Sequence, residues 1–279
     1  MNIGIVGLGL MGGSFGRALV KKTNHTIYGF DTDKNALVKG EMLNAYHKVL
    51  TLENACELDL IVFSIYPDSF TKTLYMFLPH LKKGAIVSDF CGVKREILAV
   101  MKTASNNYKD LIFIGGHPMA GREFSGIDKS ITTLFDKASM ILVNLNADIF
   151  TLEMLKKFYL DLGFLEVVLT SADNHDEMIA YTSQLCHIVS NAFIKSETAK
   201  KHFGYSAGSY KDLTRVAKLN PEMWATLMDL NKDYLAQELD LLINNLQKYS
   251  NALKLNDKGT LKCLLAEGNE IKISIDSRK

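Results

Sequence analysis

The stretch Gly115-Gly116-His117-Pro118-Met119-Ala120-Gly121 is where this chain is best equipped for chemistry. It follows an apolar run, Leu111-Ile112-Phe113-Ile114, that reads as a buried strand. The two glycines allow a sharp turn or close approach of a ligand. The proline fixes its own φ and biases His117 toward an extended backbone. His117 therefore stands at the exit of a strand on a stiffened loop, a usual place for reacting groups in α/β folds. A neutral imidazole with an ordinary pKa near ~6.5 can take a proton there at physiological pH. A lone His-Pro also fits a histidine that only hydrogen-bonds its own loop, so the reading rests on its surroundings.

A second chemical signal opens the chain. Ile3-Gly4-Ile5-Val6 reads as a strand running into Gly7-Leu8-Gly9-Leu10-Met11-Gly12, after which Phe15, Ala18 and Leu19 recur at helical spacing. In such a loop Gly7 makes the tight turn, Gly9 lets a pyrophosphate approach, and Gly12 lets the helix pack close to the sheet. The helix N-terminus offers free N–H groups and partial positive charge to phosphates. Thr26–Phe30 reads as the next strand and ends at Asp31, at about the ~20-residue distance the fingerprint expects. A carboxylate there accepts hydrogen bonds from ribose hydroxyls and repels a 2′-phosphate, which points to NAD as cofactor.

These residues need a scaffold, and the sequence predicts one. Leu60–Ile65 and Ala85–Asp89 read as strands, with helices over about 69–80 and from Lys94 through Met101. Ser139–Val143, a helix near 150–162 and the strand Leu165–Leu169 continue the alternation. Strands alternating with helices imply a Rossmann-type, doubly wound parallel sheet. The loops at Gly7, Asp31, Ser64-Tyr66, Phe90 and His117 then lie at its carboxyl edge and line one crevice. Ser64 and Tyr66 are placed with the cofactor. The boundary is expected near Thr170: residues 1–170 form the nucleotide domain, and residues 171–279 an all-α domain for substrate and dimerisation.

Within 171–279, the segment from Met178 to Ile194 carries no charged residue and reads as a helix buried on all sides. Met178, Leu185, Val189 and Ala192 form its apolar stripe; Ser183, His187 and Asn191 lie on another face with Gln184 beside them. A polar row on such a helix needs partners or a ligand, and His187 is the member expected to meet a substrate. Lys211 and Arg215 share a helix face, and a planar guanidinium suits a carboxylate. Asn220-Pro221-Glu222 starts a helix bearing Trp224. Leu235, Leu239, Leu242, Leu246 and Tyr249 form a seam that suits a homodimer or an intrachain core.

The composition narrows the class. The chain has 279 residues and a net charge of +1, which offers no nucleic-acid surface. Cys56, Cys91, Cys186 and Cys263 lack metal-site spacing and fit a reducing compartment. No metal, signal peptide or membrane span is expected, and the chain reads as a cytoplasmic protein.

Together these motifs resemble the prephenate dehydrogenase family, including its arogenate-using members. The resemblance spans nearly the whole chain. It rests on Gly7–Ser14, Asp89…Val93-Lys94, Gly116–Gly121 with Ser125-Gly126, His175-Asp176, Ser183–His187, and Lys211–Arg215 with Trp224. It implies NAD-dependent oxidative decarboxylation of prephenate to 4-hydroxyphenylpyruvate on the tyrosine route, by a homodimer. His117 matches the family's catalytic histidine, and His187 and Arg215 its substrate-binding pair. Gly92 stands where the family usually has serine, with Cys91 before it as a candidate substitute donor. Gln184 replaces a common histidine and Cys186 a common proline. Arg122, which comes directly after the His-Pro-Met-Ala-Gly block, can add a carboxylate contact or pair with Glu123. Arogenate is the alternative substrate. A β-hydroxyacid dehydrogenase would want a lysine on the 178–194 helix, which has none. A non-catalytic NAD-responsive protein is the remaining alternative.

Overall fold

The computed structural model describes residues 1–277. Eight strands among them form one sheet: β1 (Asn2–Val6), β2 (Thr26–Phe30), β3 (Lys48–Val49), β4 (Leu60–Phe63), β5 (Ile86–Asp89), β6 (Ile112–Pro118), β7 (Ser139–Asn144) and β8 (Glu166–Thr170). Their order is β3-β2-β1-β4-β5-β6-β7-β8. The first six are parallel, with the winding direction reversing beside β1, where open α/β sheets bind ligands.

The last two strands refine the expectation of a parallel sheet. β7 pairs antiparallel with β6, and β8 runs parallel to β7. The reason lies in the connection from Met119 to Ala138, which contains no crossover helix and stays at the carboxyl edge. There Ile131 N–H donates to Ser14 Oγ at 3.0 Å, Arg17 donates to Ser130, and Lys39 pairs with Asp128 at 2.6 Å. The chain therefore re-enters the sheet from the edge it left.

Helices α1 (Leu10–Lys22), α2 (Lys34–Met42), α3 (Pro67–Phe77), α4 (Arg95–Asn107) and α5 (Ile149–Leu162) flank the sheet. Strand alternation divides the core. Ile3, Ile5, Leu60, Val62 and Ile114 face one apolar layer with Phe15 and Phe158; Val6, Ile61, Phe63, Val87 and Phe113 face the other with Phe70 and Phe77. Apolar residues on both faces explain the unbroken apolar runs of β4 and β5.

From Ala172 on, every described element is helical. α6 (Ala172–Ile179) passes through a π-helical turn, Ala180–Leu185, into α7 (Cys186–Phe193); α8 (Gly208–Thr214) and α9 (Pro221–Asp229) come next. These helices belong with the sheet to one compact unit, Met1–Asn231. The second unit begins at Lys232 and is a hairpin of α10 (Lys232–Lys254) and α11 (Lys258–Asp276), tied by Tyr249 Oη donating to Leu264 O at 3.1 Å.

One expectation is overturned. The uncharged 178–194 segment is not buried on all sides: Met178, Tyr181 and Phe193 are 47%, 56% and 46% exposed. Absence of charge here marks an apolar outward face rather than enclosure within the chain. In the α10 seam Leu235 is buried, but Leu246 is 57% exposed.

Gly16 in α1 tests the packing. A Cβ there would lie 2.0 Å from the Ala45 carbonyl oxygen. Helix propensity alone favours alanine by about 1 kcal/mol, whereas overpacking costs about 1–3 kcal/mol. Gly16→Ala is expected to lower the free energy of unfolding in urea, and a gain in stability would refute close packing of α1 on the segment after α2.

Candidate active site

β5 and β6 end side by side, and charge fixes the loops that leave them. Asp89 and Lys94 are both fully buried and form an ion pair. The Asp89 carboxylate also accepts from Cys91 N at 2.7 Å and Gly116 N at 3.2 Å, binding the loop after β5 to the glycines before His117. The Asp176 carboxylate on α6 accepts from Lys94 N at 2.7 Å and Arg95 N at 2.8 Å, so it caps α4 from a distant part of the chain. Asn231 Nδ2 donates to Asp176 O and to Gln184 Oε1, at 2.8 and 2.9 Å.

His117 is half-buried at the end of β6 and lies 2.9 Å, Nδ1 to Nε2, from His175. His175 in turn lies 2.7 Å, Nδ1 to Oδ1, from Asp176. Burial, then His175 and the Lys94 ammonium, hold His117 well below the ordinary histidine value. Burial lowers His175 as well, against the opposing pull of Asp176. Burial pushes the Asp176 carboxyl up, but hydrogen bonds from His175 and the α4 backbone outweigh it and leave the group below the usual range.

A second cluster lies on the helices. The His187 ring packs on Trp224 with centroids 3.7 Å apart, and its Nδ1 donates to Ser183 O at 2.9 Å. Burial lowers the His187 pKa; the Ser183 carbonyl raises it, Arg215 lowers it and Glu123 raises it. Arg215 forms an ion pair with Glu123, which lies in the loop just beyond His117. The loop leaving the first cluster thus enters the second.

The remaining sequence-predicted residues are spread over the loops of the carboxyl edge. Gly7 has φ +94°, and a Cβ on Gly12 would sit 1.9 Å from Gly7 O, so both need glycine. A Cβ on Gly9 would meet open space. Gly9 precedes α1, whose first residues are Leu10 and Met11, and among the described residues no side chain caps that end. Asp31 accepts from Leu8 N at 2.7 Å, closing the β1 and β2 loops on each other. Ser64 abuts Gly7, and Tyr66 is half exposed at the start of α3. The Cys91 thiol is buried and donates to Ile65 O at 3.4 Å; burial raises its pKa, so the group is already committed as a neutral donor. A Cβ on Gly92 would touch only Leu227, at 3.6 Å, so a larger side chain has room. Arg122 does not pair with Glu123: it donates to Lys129 O at 3.3 Å and lies over the Phe124 ring, while Arg215 takes Glu123.

Reading the sequence by itself missed the working parts of the first cluster. His175-Asp176 entered only through the resemblance. The buried pair had a detectable signal, an acid at a strand end shortly before a lysine. Asn231 had none.

These ionisations make stability depend on pH. His117, His175 and His187 all have folded-state pKa values below their unfolded value of 6.5. Their contribution is therefore full above pH 6.5 and is lost as pH falls through the folded values. Tm is expected to fall between about pH 7 and about pH 5, the range below the unfolded histidine value. A flat Tm over that window would contradict the lowered pKa values of these imidazoles.

Family models described as prephenate dehydrogenase, nucleotide-binding domain, and prephenate dehydrogenase, dimerization domain, match residues 15–168 and 171–267. The chain is 29% identical to cyclohexadienyl dehydrogenase of Zymomonas mobilis over 266 residues, 92% of this chain and 89% of that protein. It is similar to the crystal structure of Synechocystis arogenate dehydrogenase, with 26% identity, TM-score 0.80, and coverage of 99% of this chain and 100% of that one. It is likewise similar to prephenate dehydrogenase from A. aeolicus in complex with hydroxyphenyl propionate and NAD+, with 26% identity, TM-score 0.84, and coverage of 99% and 98%. A Rossmann-type sheet with a half-buried histidine at its edge, leading into a helical segment that matches the dimerization domain, therefore places this chain in the prephenate dehydrogenase family.

Proposed function

We propose that the protein is an NAD-dependent prephenate dehydrogenase, converting prephenate to 4-hydroxyphenylpyruvate. The observation that carries this reading is the placement of His117, a histidine held neutral at the carboxyl edge of the sheet, whose own loop delivers Glu123 to Arg215. The residues present fit the cofactor. Gly7, Leu8, Gly9, Leu10, Met11 and Gly12 form an uncapped helix start with open space at Gly9. Asp31 takes ribose hydroxyls and disfavours a 2′-phosphate, with Ser64 and Tyr66 on the adjoining loop. When bound, NAD+ accepts the hydride from the hydroxyl-bearing ring carbon.

The chain's own residues do the rest. His117 takes the proton of that hydroxyl as the hydride leaves, so positive charge does not build on the ring carbon. Loss of CO₂ then gives the ring the electron pair of the broken C–C bond and makes it aromatic. His117-H⁺ returns its proton to the phenolate oxygen, and the acid–base balance closes. Arg215 holds a substrate carboxylate with a charge-assisted bond, leaving Glu123 to do so. His187 orients the substrate from the other side, its ring braced by Trp224. Arg122 and Gly92 line the approach.

Residues 1–170 act as the nucleotide domain and 171–279 as the substrate and dimerisation domain. A homodimer accounts for the exposed Met178, Tyr181 and Phe193, and for Leu246, Ile271 and Ile273 on the α10–α11 hairpin, at 57%, 55% and 60% exposure. Light scattering at micromolar concentration is expected to give twice the chain mass, and Leu246→Glu with Ile273→Glu to reduce it. A monomeric wild type would refute this.

The reduced nicotinamide absorbance that builds up during incubation with NAD+ and either prephenate or arogenate tests the reaction. Turnover of prephenate is expected to be faster; inactivity with both would end the reading, and preference for arogenate would reassign the substrate. His117→Asn is expected to lower kcat by about 10²–10⁴-fold while NAD+ still binds. Arg215→Ala should raise KM about ten- to a hundredfold, the scale of one charge-assisted hydrogen bond.

A further inference from the structure

His175 and Asp176 are buried, titratable and unused by the chemistry above. Their exposures are 1% and 0%, so water does not substitute for either partner. The Asp176 carboxylate is held on both oxygens by N–H donors, Lys94 N on Oδ1, and Arg95 N with Arg95 Nε on Oδ2. An ionised carboxylate only accepts. The His175 Nδ1 that lies 2.7 Å from Oδ1 therefore carries a hydrogen. In a neutral ring this leaves His175 Nε2 with a lone pair. His117 Nδ1, 2.9 Å from that lone pair, must be the donor. The reverse arrangement would set a nitrogen lone pair against a carboxylate oxygen at 2.7 Å. The two rings are tilted by 56° with centroids 5.1 Å apart, so they meet through the hydrogen bond rather than by stacking.

We infer that His175 and Asp176 are positioning residues that fix the tautomer of His117, with hydrogen on Nδ1 and the proton-accepting lone pair on Nε2. The inference rests on the reading of His117 as the base. A histidine free to choose its tautomer would spend part of its time with hydrogen on the nitrogen that has to accept. The relay removes that state. It also places a carboxylate behind the imidazolium formed when His117 takes its proton, as a triad acid does for its histidine. The other charged groups at the relay are Lys94, which opposes that imidazolium, and Asp89, which neutralises Lys94. Asn231 holds the Asp176 carbonyl, and Arg95 holds Asn231 Oδ1 at 2.9 Å, so the acid is anchored from two elements.

The test reads the rings directly. Long-range ¹H–¹⁵N correlation spectra of protein labelled with ¹⁵N-histidine distinguish a protonated ring nitrogen from an unprotonated one, with no substrate present. The wild type is expected to show both His117 and His175 with hydrogen on Nδ1. Asp176→Asn can keep its oxygen on Arg95 N and Nε only by turning its amide N–H toward His175. Both rings are then expected to switch to hydrogen on Nε2, with kcat lower by about 10²–10⁴-fold and NAD+ binding kept. His175→Gln retains a carbonyl to accept from His117 Nδ1 and is expected to keep at least about ten times the kcat of His175→Leu, the scale of one hydrogen bond. Hydrogen on Nε2 of His117 in the wild type overturns the inference, and that spectrum decides even if a variant fails to fold. So do unchanged ring signals in Asp176→Asn, or equal kcat in the two His175 variants. Should the wild type oxidise neither prephenate nor arogenate, the proposed function fails, while the spectra still report whether the relay exists.

Discussion

The ion pair between Asp89 and Lys94 lies wholly out of solvent, and the candidate site depends on it. Losing one partner of such a pair typically costs about 3–5 kcal/mol, because the other charge is left without compensation. That cost explains why the loop after β5 has so little freedom. The carboxylate also gathers the Cys91 and Gly116 amides, so one side chain fixes two adjacent strand exits. Lys94, folded inward, puts its amide and that of Arg95 where Asp176 can reach them. Helix α4 is thereby capped by an acid from the helical segment. The compact unit extends to Asn231 for the same reason: the bonds from Asp176 and Asn231 are buried and polar, and each needs its partner.

The π-helical turn at Ala180–Leu185 belongs to the same frame. It adds an extra residue to the turn between α6 and α7 and so changes the angle at which later side chains leave the helix. Gln184 points inward, accepting from Asn231 and donating to Leu227 O at 2.9 Å. One turn farther on, His187 meets Trp224. Two clusters of opposite character result. Around His117 the groups are buried and locked by hydrogen bonds. At Arg215 the side chain is 67% exposed and held by one carboxylate.

The helical elements show how composition can mislead about environment. A segment without charge is compatible with burial in its own fold and with an outward apolar face, since both exclude ions. Met178 and Tyr181 take the second course. Hydrophobic periodicity reports which face avoids water; it does not report which chain covers it.

What this sequence determined by itself is local. Strand and helix alternation, the glycine turn into α1, Asp31 at the end of β2, the proline start of α9 and the histidine after twin glycines all arise from short-range sterics, capping and hydrophobic period. Those signals act within a few residues of their source. Tertiary structure decided everything that depends on distant partners: the reversal of β7, the burial of Lys94, the choice of Glu123 by Arg215, and the meeting of His117 with His175. The last two join residues 92 and 58 positions apart, and the burial of Lys94 and the meeting of His117 with His175 are settled by the cost of burying a polar group without a partner. Spacing could name the imidazole; only the packed fold could assign its proton.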